Sequence, residues 1–221
     1  MILTNRFFDR VTPSRTAKSI YIFCEGAKRE FNYFKYFVEL DSRINLEVYK
    51  LQVDEDNSPR GIMSIAENCI LKTVENPNPK YNFIIGDEVW IVLDIDEDKY
   101  NSREPQIRSI QEKCNELENW NLSLSNPCFE VWLYYHAKDT KPSFSDSEKC
   151  VKWKQFVNDI IPGGFDSRKH PIFIKTACNN AMNNYNLVNQ IPDIGSTDVY
   201  NLANTIIPLI ESKLNLALKK L

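Results

Sequence analysis

Residues 89–98, VWIVLDIDED, decide the fold of this chain. The run from Val89 to Leu93 is apolar without interruption, which predicts a strand buried on both faces of a parallel sheet. Asp94 and Asp96 follow at its carboxyl end. Because side chains alternate along an extended strand, the two carboxylates are expected to point to the same side. Mg²⁺ prefers such oxygen ligands, and a solvated loop that begins after the strand is the alternative interpretation.

Strand and helix patterns alternate on either side of this segment. Strand-like stretches at 19–24, 46–53 and 121–124 are interleaved with helical patterns at 28–40, 60–74, 104–120 and 128–137. This alternation predicts an α/β fold, a mainly parallel sheet flanked by helices, with ligands at the carboxyl ends of the strands. We expect residues 1–18 to form a basic N-terminal arm and residues 19–137 to form the core. Residues 138–221 are predicted to be an all-helical C-terminal part packed on that core.

The composition excludes several classes of protein. A net charge of −3 over 221 residues gives no global signal for nucleic acid, so any such contact depends on local patches. Six scattered cysteines and two histidines indicate reduced thiols in a cytoplasmic protein, not a disulfide framework or a zinc site. No apolar run reaches membrane-spanning length, so no membrane contact is expected. Neither a P-loop nor a dinucleotide-binding fingerprint is present.

A third acid adds to the aspartate pair. Glu25 follows the first predicted strand directly, and Gly26 allows the backbone to turn sharply there. If the first and third strands are neighbours, Glu25 faces Asp94 and Asp96 across one edge of the sheet. Two or three carboxylates, with open positions for water and phosphate, are a usual environment for Mg²⁺, and Mn²⁺ uses similar ligands. A carboxylate beside the metal can also act as a general acid or base.

Two further glutamates are candidates for the same site. Glu130 lies in an otherwise apolar helix, where a charge is costly unless it is paired or bound to metal. It is therefore interpreted either as a member of the site or as half of a structural salt bridge. Glu30 lies in the first turns of the helix after Glu25. It either reaches the site or caps that helix.

Three polar residues have weaker claims to a role. Lys28 is interpreted as a phosphate contact or as a solvent-exposed cation. Asn126 either caps the helix that follows it or orients a substrate. Asp98 is an additional metal ligand or simply part of a loop.

The acids and their surroundings resemble known families. Glu25-Gly26 after the first strand and Asp94-x-Asp96 after the third resemble a Toprim domain, the catalytic fold of topoisomerases, primases and related nucleases. Longer blocks resemble the RloB family and occur in order over nearly the whole chain: IFCEGxxxExxYF at 22–34, LDxDE at 93–97, SNPCFExWL at 125–133 and STDV at 196–199. The SNPCFE block is the most specific of them.

The resemblance implies a prokaryotic Toprim-like protein often encoded beside an ABC-type ATPase, RloA, in antiphage or abortive-infection loci. Carried over residue by residue, Glu25 would be the general acid or base, and Asp94 and Asp96 the Mg²⁺ ligands. Glu130 would be a supporting acid. The family often has a histidine shortly after the second aspartate, whereas this chain reads Glu97-Asp98-Lys99. That departure puts the histidine's role in doubt, but not the metal site.

Three functions remain open from the sequence. The first is a Mg²⁺-dependent nuclease that cuts DNA or RNA under the control of the ATPase. The second is a non-catalytic Toprim-like sensor or adaptor that binds nucleotide or nucleic acid, or docks on the ATPase. The third is a small-molecule phosphotransferase, because Asp94-x-Asp96 is similar to the start of a haloacid-dehalogenase motif, although Asp98 stands where that motif has threonine. The oligomeric state is also open, and a homodimer is one of the alternatives.

Overall fold

The computed structural model of the chain describes residues 8–96, 100–142 and 147–220. Its main sheet has five strands in the order β2-β1-β3-β4-β7. The strands are β1 (Lys18–Cys24), β2 (Ile44–Val48), β3 (Glu88–Asp94), β4 (Trp120–Asn126) and β7 (Ser196–Thr197). The first four are parallel, and β7 pairs antiparallel with the end of β4. This confirms the predicted α/β fold, and the arrangement is consistent with a Toprim-like one.

Helices cover both faces of the sheet. They are α1 (Arg29–Lys35), α2 (Pro59–Ile70), α3 (Tyr100–Glu116), α4 (Glu130–Tyr134), α5 (Cys150–Ile160), α6 (Ile174–Asn183) and α7 (Val199–Leu218). Each face of the sheet carries its own apolar core, and alternate residues of β1 point into one or the other. Tyr21 and Phe23 pack with α2 and α3, whereas Ile20 and Ile22 pack with the remaining helices. Each face of the sheet is therefore buried, which explains why β3 is apolar throughout.

The C-terminal part is not all-helical, which corrects the prediction from sequence. Besides its helices and a 3₁₀ turn at His170–Phe173, it contains a small hairpin, β5 (Leu187–Val188) and β6 (Ile191–Pro192), and it contributes β7 to the main sheet. Two-residue strands have no periodic pattern to detect. The hydroxyl groups of Ser125 and Thr197 lie 2.8 Å apart and link the two parts of the chain.

The N-terminal arm packs onto the core within the described residues. The N–H groups of Val11 and Ser14 donate to the carbonyls of Glu39 and Ser42, both at 2.8 Å. The ring of Phe8 meets Tyr36 edge to face, with centroids 5.3 Å apart. All six cysteines are free thiols. No helix within the described ranges combines the length and the apolarity needed to cross a lipid bilayer.

Candidate metal centre

Four carboxylates gather at the carboxyl end of the parallel sheet. Glu25 follows β1, Asp94 ends β3, Glu30 lies in the first turn of α1, and Glu130 begins α4. Strands β1 and β3 are neighbours, and the backbone N–H of Asp94 donates to Oε2 of Glu25 at 3.4 Å. The predicted adjacency of the first and third strands is thus present, and the crossovers that enter α1 and α4 bring the other two acids to the same edge.

The four acids act on one another electrostatically. Burial raises the pKa of Asp94 well above its ordinary value, and the charges of Glu30, Glu25 and Glu130 raise it further. Burial likewise raises the pKa of Glu30 to about 7, with the charges of Glu130 and then Glu25 adding to the effect. Loss of hydration and like charge both disfavour the ionised form. Full ionisation of the four acids is therefore unfavourable unless cations neutralise their charge.

Two arginines neutralise part of this charge. Arg103 of α3 is buried, and its Nη1 donates to Oε1 of Glu25 at 2.9 Å while its Nη2 donates to Oε2. The same Nη2 also donates to the carbonyl of Asp94 at 2.8 Å. Arg29 donates through Nη1 to Oε1 of Glu130 at 2.5 Å. Two of the four acids are thus held by guanidinium groups.

The remaining two acids are less compensated. Within residues 8–96, 100–142 and 147–220, neither Glu30 nor Asp94 forms a salt bridge. Two guanidinium groups against four carboxylates leave an excess of two negative charges when every acid is ionised. A divalent cation carries that charge, and carboxylate oxygens are the ligands that Mg²⁺ and Mn²⁺ prefer. The donor set therefore fits the expected metal in type and in charge.

Gly26 provides the space that the Glu30 carboxylate occupies. A Cβ built on Gly26 would lie 1.7 Å from Oε2 of Glu30, well inside contact distance. Gly26 does not have a positive φ, so the sharp turn expected from sequence is not the reason for glycine here. The missing side chain instead lets Glu30 fold back over the end of β1.

The expectation for Asp96 depended on an extended strand that stops too early. Strand β3 ends at Asp94, and Asp96 has a left-handed φ of 53° with its N–H bonded to the carbonyl of Pro127 at 2.9 Å. The alternation of side chains therefore does not carry from Asp94 to Asp96. Asp96 is also not among the acids that raise the pKa of Asp94. Asp98 lies outside the described residues.

No ready-made metal site exists in the part of the chain that the structure describes, since no three His, Cys, Asp or Glu side chains are arranged to hold an ion. The two arginines give a physical reason, because Glu25 and Glu130 direct oxygens at guanidinium groups. Coordination by these acids would require their carboxylates to turn from the arginines towards Asp94 and Glu30.

The weaker candidates have structural positions of their own. Lys28 is exposed just before α1 and makes no capping hydrogen bond through its side chain. Asn126 is buried, and its amide donates to the carbonyl of Pro192 at 2.8 Å, so it fastens β6 instead of capping α4. Its Oδ1 has no hydrogen-bond partner among the described residues.

Sequence reasoning missed Arg103. It lies in a long polar helix whose other arginine, Arg108, forms an ordinary pair with Glu104 one turn away. Nothing in the spacing distinguishes the buried arginine from the half-exposed one. The prediction for Glu130 left a salt bridge and membership of the site as alternatives, and the structure gives it both a salt bridge and the electrostatic neighbourhood of Asp94.

Comparison with known proteins identifies the family. The model of the family described as RloB-like protein matches residues 20–206, which covers all the segments that carry the four acids. Searches of curated proteins and of solved structures gave no match. Because the family model spans most of the chain, the protein belongs to the RloB-like family.

Proposed function

We propose that the protein is a Mg²⁺- or Mn²⁺-dependent nuclease of Toprim type that cleaves phosphodiester bonds in DNA or RNA. The observation that carries the proposal is the partly buried cluster of four carboxyl groups, which outnumber the two arginines beside them. Acids at the carboxyl edge of a parallel sheet lie where ligands of such folds bind. A structural role alone would not require so much like charge in one place.

Under this proposal Asp94 and Glu25 hold the metal, with Glu30 and Glu130 beside them and Asp96 approaching from the loop after β3. The bound ion would polarise a phosphoryl oxygen and supply an activated water. Glu25 would move the proton, as the family resemblance implies. Because Arg103 now donates to both oxygens of Glu25, that role requires Arg103 to release at least one of them.

A phosphate group would compete with Glu25 for the guanidinium of Arg103. Guanidinium groups bind phosphate oxygens in pairs, and Nε of Arg103 has no hydrogen-bond partner within the described ranges. Arg29 and Lys28 are exposed beside the cluster of acids, where they would contact neighbouring phosphates of the nucleic-acid backbone. Substrate binding would thus exchange one anionic partner of Arg103 for another and free a carboxylate for the metal.

The biological setting is proposed from the family. Membership of the RloB-like family supports a role in antiphage defence or abortive infection in the cytoplasm, under the control of a partner RloA-like ABC-type ATPase. A nuclease whose carboxylates are paired with arginines in the resting protein suits such control. The partner would then act by favouring the arrangement in which Glu25 is released.

One observation favours a second candidate function. Glu25 and Glu130 are both engaged by arginines, and no complete metal site exists among the described residues. The same contacts would suit a non-catalytic sensor or adaptor in which the acids and arginines only fix the fold. Such a protein would bind nucleotide, nucleic acid or the ATPase without turnover.

Cleavage assays separate the two functions. The wild type is incubated with tRNA, single-stranded DNA and duplex DNA in Mg²⁺ or Mn²⁺, beside Asp94→Asn, Glu25→Gln and the matched surface control Glu118→Gln. The nuclease proposal expects cleavage that is lost in chelator and in the first two variants but is retained in the control. Metal-dependent cleavage that survives both substitutions would place the chemistry elsewhere. Binding without turnover, unaffected by either substitution, would establish the adaptor.

A further inference from the structure

A groove of about 510 Å³ runs along the outer edge of β4, and none of the four acids lines it. One side is formed by α3, through residues such as Gln111 and Asn115. The other side is formed by the β5–β6 hairpin and the start of α7, through residues such as Gln190 and Asn201. The floor is β4 itself, because β7 covers only the last two residues of that strand.

The backbone of β4 presents unused hydrogen-bonding groups to this groove. The carbonyl of Asn126 accepts from the N–H of Gly195, and that of Leu124 accepts from the N–H of Asp198. In an extended strand every second residue directs its N–H and C=O to the same side. Leu122 must therefore direct both groups outward as well. Within the described residues neither group has a partner, so the edge of β4 is open at Leu122.

Among the described residues that line the groove, Asp198 alone carries a charge. Asp198 accepts through Oδ1 from the N–H of Leu124 at 2.5 Å and from Oγ of Ser123 at 3.0 Å. No salt bridge reaches it from residues 8–96, 100–142 or 147–220. Burial raises its pKa to about 7, because a carboxylate without a cation is costly in such a place. A ligand with a positive group would complete it.

The walls of the groove offer hydrogen-bonding and apolar contacts. Amide side chains line both sides of the groove, and each offers a donor and an acceptor. Leu187 of the hairpin is more than half exposed and gives the groove an apolar rim. Open backbone, amide walls and an apolar rim suit an extended main chain better than a compact molecule, which would leave the N–H and C=O of Leu122 unpaired.

We infer that this groove docks an extended segment of a partner protein, which adds a strand to the free edge of β4 and places a lysine or arginine against Asp198. Strand addition draws its affinity from main-chain hydrogen bonds and its specificity from alternate side chains. The short β7 pairs antiparallel with the last two residues of the same edge, and the docked segment would extend that pairing towards Leu122. The inference concerns a surface that the proposed nuclease chemistry does not use.

The test uses a blocked hexapeptide of alternating valine and lysine as the probe, titrated into the ¹⁵N-labelled full chain. Binding is expected to shift the amide signals of residues 120–124, that of Leu122 most of all. The same peptide with glutamate in place of lysine should bind at least tenfold more weakly. A version N-methylated at alternate amides, which cannot pair with a strand edge, should lose binding by a similar factor.

Two surface variants and a control test the groove itself. Asn201→Lys and Asn115→Lys add a cation on opposite walls, at exposed positions where folding is not at risk, and each should weaken the lysine peptide at least tenfold. Asn183→Lys, exposed on α6 and outside the groove, should leave binding unchanged. Equal binding of the lysine, glutamate and N-methylated peptides would overturn the inference. So would an unshifted Leu122 amide. A compact ligand such as guanosine that shifts these amides when the peptide does not would overturn it as well.

Discussion

Replacing Glu30 by glutamine is expected to stabilise the metal-free protein at pH 7 and above. Burial and the neighbouring glutamates raise the pKa of Glu30 from its ordinary value of 4.5 to about 7. Between these two values the folded protein binds a proton that the unfolded chain has already released. Stability is therefore fully present below pH 4.5 and is lost as the pH rises to about 7. Glutamine keeps the shape of the side chain and removes the titration.

The magnitude follows from the two pKa values. The difference between 4.5 and about 7 corresponds to about 3 kcal/mol of unfolding free energy. Only 7% of Glu30 is exposed, so solvent screening reduces this little. For a chain of 221 residues the change amounts to about 6 to 12 °C in Tm. Below pH 4.5 the two proteins should have nearly equal stability.

Denaturant unfolding at pH values from 4.5 to 8, in chelator, measures this difference. Asp198 has its pKa raised to about 7 as well, but it is present in both proteins and cancels when they are compared. Glu118→Gln, on an exposed turn, is the matched control and should follow the wild type at every pH. The reasoning is refuted when Glu30→Gln is less stable than the wild type at pH 8, or when their difference does not change with pH.

Further substitutions and a metal titration test the surrounding structure. Gly26→Ala should displace the Glu30 carboxylate, because its Cβ would lie 1.7 Å from Oε2, and should remove the pH dependence assigned to Glu30 in the same unfolding series. Mg²⁺ at 100 times its Kd should add about 2.7 kcal/mol to the free energy of unfolding of the wild type, which is about 5 to 11 °C in Tm by thermal scan. It should add nothing to Asp94→Asn. An equal shift in both proteins would exclude Asp94 as a ligand. Trp153→Ala should cost about 3 to 5 kcal/mol in denaturant unfolding, because this side chain is fully buried and donates through Nε1 at 2.6 Å to the carbonyl of Ser147; a loss under 1 kcal/mol would contradict its place in the core.

The sequence was sufficient for the parallel core. Long apolar strands separated by amphipathic helices have strong periodic signals. Three of the four parallel strands lie within two residues of the predicted positions, whereas β2 ends five residues before the predicted end. Acids that directly follow such strands can be placed at one edge by topology alone. For this reason the sequence predicts the proximity of Glu25 and Asp94, which are 3.4 Å apart between Oε2 and the backbone nitrogen in the structure.

The parts that sequence reasoning did not predict share a physical cause, which is dependence on tertiary contacts. The turn that reverses φ at Asp96 is stabilised by a hydrogen bond to Pro127, more than thirty residues away. In the sequence Arg103 does not differ from other arginines on polar helices. Its role depends on the packing of α3 against the end of β3, where it donates to the carbonyl of Asp94. The two residues of β7 are too short for periodicity and exist because β4 offers them an edge.

The pairing of β7 with β4 also governs when this chain can complete its fold during synthesis. Residues 199–217 fill the same apolar layer as residues 20–46, so α1 and α4 cover one side of the sheet only in part until α7 has been synthesised. The four acids, by contrast, all lie within the first 130 residues. On a translating ribosome the elements of the candidate centre therefore emerge well before the segment that buries the sheet beneath them. A nascent chain halted before Ser196 should expose apolar surface and depend on chaperones.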